Sequence, residues 1–301
     1  MRVLDFHTHP WRPADLAAAT RAFIEDISPA VREHGERLSD PVYAAELLRA
    51  EGIERAVVLP EHCPATSGVV RTEAVLAHCA AAPDVLLPFA SVDPVSDPDP
   101  PALLRDYIAA GARGLKLYPS YQFFYPNEPR VYPLYEACAE AGLPVLLHIG
   151  SSVIPGTRLK YCDPIHLDDV AVDFPTLPIV MAHGGRGYWH AECAFLAHHH
   201  ANVWIDVAGL VPEQLPRLFP PFEPVAEKML FGSDWPAMPR GPGANAETIA
   251  GLGLPAATLA GLLHDNAAAI LDATARAGGA EIATSAGNAS GPPELPRTTD
   301  R

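Results

Sequence analysis

The stretch "VLDFHTHP", Val3 to Pro10, sets two histidines one residue apart at the end of an apolar run. In an extended strand alternate side chains face the same way, so His7 and His9 project together, with Asp5 one pleat deeper. Two adjacent imidazoles can chelate one ion. Taken alone the pair decides nothing, because neighbouring histidines arise by chance, and His198, His199 and His200 stand together elsewhere on a presumed outer helix.

Outward from Val3, the chain alternates short β-branched or leucine-rich runs with longer amphipathic stretches, the pattern of βα units around a parallel sheet. Strands are predicted at Arg2 to Phe6, Arg55 to Leu59, Val85 to Val92, Arg113 to Leu117, Pro144 to His148, Pro178 to Ala182, Val203 to Val207 and Lys228 to Gly232. Helices are predicted between them, at Asp40 to Gly52, Pro100 to Ala112 and Val131 to Leu143 among others, each closed near its end by a glycine suited to a C-terminal cap. Eight such strands fit an α/β fold of the (β/α)8 TIM-barrel type. A doubly wound open sheet uses the same units, but no glycine-rich dinucleotide fingerprint follows any strand.

Three segments interrupt the pattern. Pro13 to Ser39 is a long insert after the first strand, and "PSYQFFYPNEPR", Pro119 to Arg130, is an aromatic loop after the fourth. The third, residues 273–301, is rich in Ala, Gly, Ser, Thr and Pro and reads as a flexible low-complexity tail. Residues 1–272 are therefore expected to form one barrel domain.

Composition narrows the class of function. Hydrophobic residues make up 49% and charged residues 19% of the 301, a globular balance. The formal net charge of −15, without any Lys/Arg run, opposes binding to nucleic-acid phosphates or anionic membranes. The sequence offers neither a bilayer-spanning apolar stretch nor a signal-peptide core. Its five cysteines, Cys63, Cys79, Cys138, Cys162 and Cys193, are scattered and form no Cys-X-X-Cys pair, as in a reduced, cytoplasmic protein. The expected partner is a small-molecule substrate, with a homodimer compatible with the Ala-rich outer helices.

The ends of the predicted strands change the reading of the histidine pair. Strand four ends with Lys116 ("GLKLYP"), strand five with His148 ("PVLLHIG"), strand six with His183 ("PIVMAHGG") and strand eight with Asp234 ("MLFGSDWP"). In a barrel these carboxyl ends share one face, where catalytic residues converge. One metal centre accounts for all of them more economically than separate structural roles. His7, His9, His148 and Asp234 supply nitrogen and carboxylate ligands for one divalent ion, zinc first, with Mn, Fe, Co or Ni also suited. Three neutral imidazoles and one carboxylate leave a charge of about +1, enough to bring the pKa of a bound water toward about 7. His183 is then the acid/base partner of that water.

At these residues the sequence resembles the amidohydrolase superfamily, in the branch of aminocarboxymuconate semialdehyde decarboxylase and related metal-dependent hydrolases. The resemblance covers residues 1 to 272 and rests on "LDFHTHP", "VLLHIGSS", "IVMAHGG" and "FGSDWP", with "DPIHLDDVAVDFP" and "HDNAAAILD" like the family's connecting and closing helices. It implies that His7, His9, His148 and Asp234 bind the metal, with Asp234 also catalytic alongside His183. Asp5 either orients an imidazole or is a strand aspartate satisfied by backbone. In binuclear members a lysine in the position of Lys116 is carboxylated and bridges two ions; in the mononuclear branch, favoured here, such a lysine contacts substrate or a ligand carboxylate. A surface-reaching Lys116 is the structural alternative. Ile149 departs from the threonine that some members carry after the strand-five histidine.

Substrate contacts are expected from the loops of the same face: Trp11, Arg12, Lys116, Tyr118, Tyr121, Arg158, Arg186 and Trp235, with Lys160 beside Arg158. Cations beside aromatic rings suit a small carboxylated or planar substrate, and Arg186 is the preferred anion anchor. Three functions stay open: metal-dependent hydrolysis of an amide, lactone or ester, which is favoured; non-oxidative decarboxylation; and a catalytically silent barrel.

Overall fold

The structure, a computed structural model, describes residues 1–272; the expected tail at 273–301 lies outside the described residues. Among the described residues ten strands form: β1 Leu4–Thr8, β2 Arg55–Val58, β3 Glu61–Cys63, β4 Gly68–Val70, β5 Leu86–Pro88, β6 Leu115–Leu117, β7 Val145–Gly150, β8 Ile179–Arg186, β9 Val203–Asp206 and β10 Met229–Leu230. All eight predicted strands are among them. They pair in parallel as β1-β2-β5 and as β6-β7-β8-β9-β10. Parallel bridges from Ala90 to Leu115 and from Thr8 to Trp235 join the two arcs. Phe6 N–H donates to Phe231 O at 2.8 Å and Asp234 N–H to His7 O at 2.8 Å, so the ring closes where the chain's first and last strands meet. The fold is the single-domain TIM barrel.

The crossover helices form where the amphipathic stretches predict them. Pro41–Ala50 is capped by Asp40, whose Oδ1 accepts from Val42 N at 2.9 Å, and Pro100–Ala109 by Asp99, whose Oδ1 accepts from Ala102 N at 3.1 Å. Each has proline in its first turn, where no N–H is lost from the helix. Tyr132–Glu140 forms the third.

Leu4 and Phe6 of β1 pack in one buried cluster with Val57, Leu87, Phe89, Leu146, Val180 and Leu230, contributed by five further barrel strands or their ends. Side chains from so many strands meet only inside the barrel. Ala267, Ile270 and Leu271 of the last helix join the same cluster and plug its lower mouth. The opposite faces of the strands, such as Leu115, Leu117, Val203 and Ile205, pack outward in the larger cluster that includes the helices.

The insert at Pro13 to Ser39 is ordered as the helices Ala18–Ile27 and Pro29–His34 and the 3-10 turn Gly35–Ser39. It sits on the β3-β4 hairpin, which the sequence reading did not foresee. Leu16 forms an antiparallel bridge to Gly68, while Ala17 N donates to Ser67 O and Val69 N to Asp15 O, both at 2.8 Å.

Candidate active site

The upper ends of the strands depart from regular pleating where the polar residues stand. One extra residue of β1 lies between the Asp5–Ala56 and Thr8–Val58 pairs, a bulge that turns His7 onto the rim directly after Phe6 has entered the core. Two extra residues on β8 lie between the Ala182–His148 and Arg186–Gly150 pairs. His183 and Asp234 hold φ at 65° and 62°, left-handed values that cost a non-glycine residue about 1–2 kcal/mol. The surrounding bonds over-determine this geometry; Asp234 N–H is held by His7 O, and His9 N–H donates to Trp235 O at 2.8 Å.

These irregularities bring His7, His9 and Asp234 together. The Nε2 atoms of His7 and His9 lie 3.6 and 3.4 Å from one oxygen of Asp234. The trio's ligand atoms all fall within 4.8 Å of one another. His183 packs beside it, its ring 5.0 Å from that of His7, and His148 stands one place further round, 4.5 Å from His183.

Asp206, at the end of β9, is the residue that sequence reasoning missed. Its Oδ2 lies 2.5 Å from His7 Nδ1, so the imidazole donates there and presents Nε2 to the trio. Asp206 Oδ1 accepts from Ala208 N at 2.9 Å. The space it occupies exists because residue 232 is glycine: a Cβ there would lie 2.1 Å from Asp206 Oδ1 and 2.8 Å from His7 Cβ. Asp5 does the backbone task of its two expected roles. Its Oδ1 accepts from His7 N at 3.1 Å and Ser233 N at 3.0 Å, tying β1 to the end of β10. The signal for Asp206 was in the sequence, since it ends an apolar run in the same way as His148.

The electrostatics favour neutral imidazoles. Burial holds His7, His148 and His183 well below the usual histidine range, with the charges of Lys116 or Arg186 next in effect. Burial also acts to raise Asp234, but the neighbouring His7 and the hydrogen bond from His9 outweigh it and keep the carboxyl well below its ordinary value. Asp5 is pushed up to about 7, chiefly by burial. Lys116 is fully buried and does not reach the surface. Its Nζ has no hydrogen-bond partner among the described residues and lies 4.9 Å over the Tyr118 ring. Burial lowers its pKa to about 8, against the pull of Asp206 and Asp234.

A divalent ion fits this donor set. His148 Nε2 is buried without a partner among the described residues, an arrangement that costs free energy unless the atom meets a ligand, and the imidazole-carboxylate trio has the chemistry of a zinc-type site. His183 differs from its neighbours. Its Nδ1 lies 2.8 Å from Ala208 O and donates to it, so the neutral ring turns a bare Nε2 away from that carbonyl.

A cavity of about 320 Å³ opens above the cluster, lined by the four histidines, Asp234, Trp11, Lys116, Tyr118, Tyr121 and Arg186. Arg186 gives Nε and Nη2 to Ser151 O at 3.0 and 2.9 Å. A Cβ at Gly209 would lie 2.7 Å from Arg186 Nη1 and 3.3 Å from both Asp234 Oδ2 and His183 Nδ1, so the guanidinium's third nitrogen adjoins the cluster. The other expected contacts lie off the wall. Arg12 is drawn to Asp15 at 2.5 Å, Arg158 packs 5.1 Å over Phe123, Lys160 lies 4.6 Å over Tyr161, and Trp235 is buried beside a separate groove. Glu61, at the start of β3, lines the cavity and was not anticipated.

The sequence profile of the amidohydrolase family matches residues 4–273. Among solved structures, the chain is similar to an uncharacterised TIM-barrel protein from Bordetella bronchiseptica, with 24% identity, TM-score 0.76, and 92% of this chain and 100% of that one covered. It is similar to the 2,6-dihydroxybenzoate decarboxylase from Rhizobium at 18% identity and TM-score 0.63, over 90% of this chain and 98% of that one. A probable 2-pyrone-4,6-dicarboxylic acid hydrolase from Acinetobacter baumannii aligns at 16% identity and TM-score 0.59, over 90% and 100%. At these identities the likeness is one of fold. No curated protein matches the sequence.

Proposed function

The chain belongs to the amidohydrolase family, and from that premise we propose that this enzyme is a hydrolase of a small amide, lactone or ester, with His183 as its base. The observation that carries the reading is the bond from His183 Nδ1 to Ala208 O, which leaves Nε2 as a fixed proton acceptor beside the cluster. Hydrolysis asks a base to take a proton from water as its oxygen bonds to the acyl carbon, then to return it to the departing amine or alcohol. His183 Nε2 performs both transfers. Decarboxylation instead asks for an acid aimed at a ring carbon, a role for which a neutral imidazole is poorly prepared.

His7, His9, His148 and Asp234 are the residues that would hold one divalent ion, zinc by donor chemistry. When bound, such an ion supplies Lewis acidity, acidifying water and polarising a substrate oxygen. Arg186 faces the cluster with the nitrogen not used by Ser151 and orients an anionic or carbonyl oxygen. Lys116 offers its unpartnered ammonium to substrate in a one-metal site. The Tyr118 hydroxyl is committed to Pro60 O at 2.7 Å and the Tyr121 hydroxyl pairs with Ser152 Oγ at 2.6 Å, so these rings shape the wall without moving protons.

Residues 1–272 form the catalytic domain in this reading. The cytoplasm suits the five buried, unpaired cysteines, and no helix among the described residues is long and apolar enough to cross a membrane. The test is a paired screen of the metal-loaded protein. Lactones, esters and amides are followed by acid release, and carboxylated aromatics by carbon dioxide release. Turnover confined to the second set would replace the hydrolase with a lyase.

A further inference from the structure

The cavity has two unlike halves. Its cations, Lys116 and Arg186, both stand by the histidine cluster. Much of the remaining lining is apolar: Phe23, Ile24 and Ile27 come from the insert's helix Ala18–Ile27, joined by Val70 of β4, Ile154 and Met238. The one hydroxyl that this helix adds is Thr20 Oγ1, buried and without a partner among the described residues, which suits an uncharged oxygen at most. Apart from Asp234 of the cluster, the remaining charged residue among the described lining is Glu61, an acid. A second carboxylate on the substrate would therefore leave water for apolar surface without meeting a cation, and a charge transferred in that way is strongly disfavoured.

We propose that the substrate joins a single carbonyl or carboxylate head, held at the Arg186 and Lys116 end, to an uncharged apolar body that lies against the Phe23-Ile24-Ile27 face of the insert. The insert is thus the specificity element of the enzyme. This inference rests on the hydrolase reading only for the placement of the reacting head; the binding preference follows from the wall itself. A recognition surface for dicarboxylates would instead add an Arg or Lys away from the cluster, and the described lining has none beyond Lys116 and Arg186, both of which act on His148.

The test uses metal-loaded, full-length protein and non-reactive probes. Straight-chain monocarboxylates from butanoate to octanoate, and dicarboxylates of matched length, are titrated by calorimetry. Affinity for the monocarboxylates is expected to rise about fourfold per methylene, the equivalent of about 0.8 kcal/mol buried. Each dicarboxylate is expected to bind at least about tenfold more weakly than its monocarboxylate counterpart. Ile24→Ser and Ile27→Ser are expected to flatten the chain-length series. A flat wild-type series, tighter binding of the dicarboxylates, or no saturable binding of octanoate overturns the inference. Failure of every lactone, ester and amide to turn over, with the binding series intact, removes the hydrolase reading and leaves this one standing.

Discussion

The two ends of the barrel interior are made by the same strands and follow different rules. In the lower half, Leu4, Val57, Leu87, Leu146, Val180 and Leu230 alternate regularly into one apolar cluster, with Phe6 and Phe89 meeting edge to face at 5.6 Å. In the upper half the pleat is broken by the β1 and β8 irregularities and by left-handed His183 and Asp234, and polar atoms of Lys116 and His148 are buried without partners among the described residues. The lower half therefore stabilises the fold, while the upper half holds strained and unsatisfied groups that a ligand can satisfy. Stability and function are separated along the barrel axis.

Removing a rim ligand tests that separation most severely. His7→Ala or Asp234→Ala is expected to lower kcat/KM by more than about 10³-fold, because several kcal/mol of charge stabilisation depend on the ion. Metal analysis of the wild type should find about one divalent ion per chain, lost in either variant while circular dichroism stays unchanged. Active wild-type protein that carries no metal would end the proposed chemistry.

The opposite pattern is expected below. Phe89 is fully buried, and its ring fills the space that a Cβ at Gly114 would enter at 2.4 Å. Phe89→Ala should cost about 3–5 kcal/mol in urea unfolding, with metal affinity of the folded fraction unchanged. A variant of normal stability and weakened metal binding would contradict the division between the two ends.

Between these extremes lies Asp206. It touches His7 and not the cavity, so its effect should pass through the orientation of that ring. Asp206→Asn is expected to weaken metal affinity by about 10–100-fold with the fold intact. Equal affinity in the two proteins would strip Asp206 of its positioning role.

This comparison also explains what could be read from the sequence. Regular alternation carries Leu146 to His148, and the same two-residue step carries Trp204 to Asp206, so the strand-end rule applied to all eight strands would have found the missed carboxylate. The conformations at His7 and His183 have no such signature, because a bulge or a left-handed residue is set by the contacts around it. The loop contacts were least legible. Arg12 and Trp235 follow functional strand ends as closely as Trp11 and Arg186 do, and Arg158 lies further along its loop, yet local partners hold all three elsewhere. The apolar wall was hidden because Phe23, Ile24 and Ile27 read as an ordinary helix face until the insert is folded over the cavity.

The smallest expected effect separates burial from function among the histidines themselves. His78 lies on the helix Thr72–Ala80, outside the cavity lining, yet is 8% exposed. Burial, with the charge of Arg12 next, lowers its pKa from 6.5 to about 4. Above pH 6.5 the ring is neutral in both the folded and the unfolded chain. As pH falls from 6.5 toward 4 the unfolded chain takes up a proton that the folded chain refuses, so stability is lost across that window. Between pH 7 and 5 this amounts to about 1–2 kcal/mol, at about 1.4 kcal/mol per pKa unit. His78→Gln should therefore lose that much less stability than the wild type when urea unfolding is compared at the two pH values, with no change in metal content. If the two proteins lose stability in parallel, His78 accepts its proton in the fold as freely as in water. A depressed histidine pKa would then distinguish the rim from the rest of the barrel, whereas the burial of His78 implies that only the arrangement of partners does.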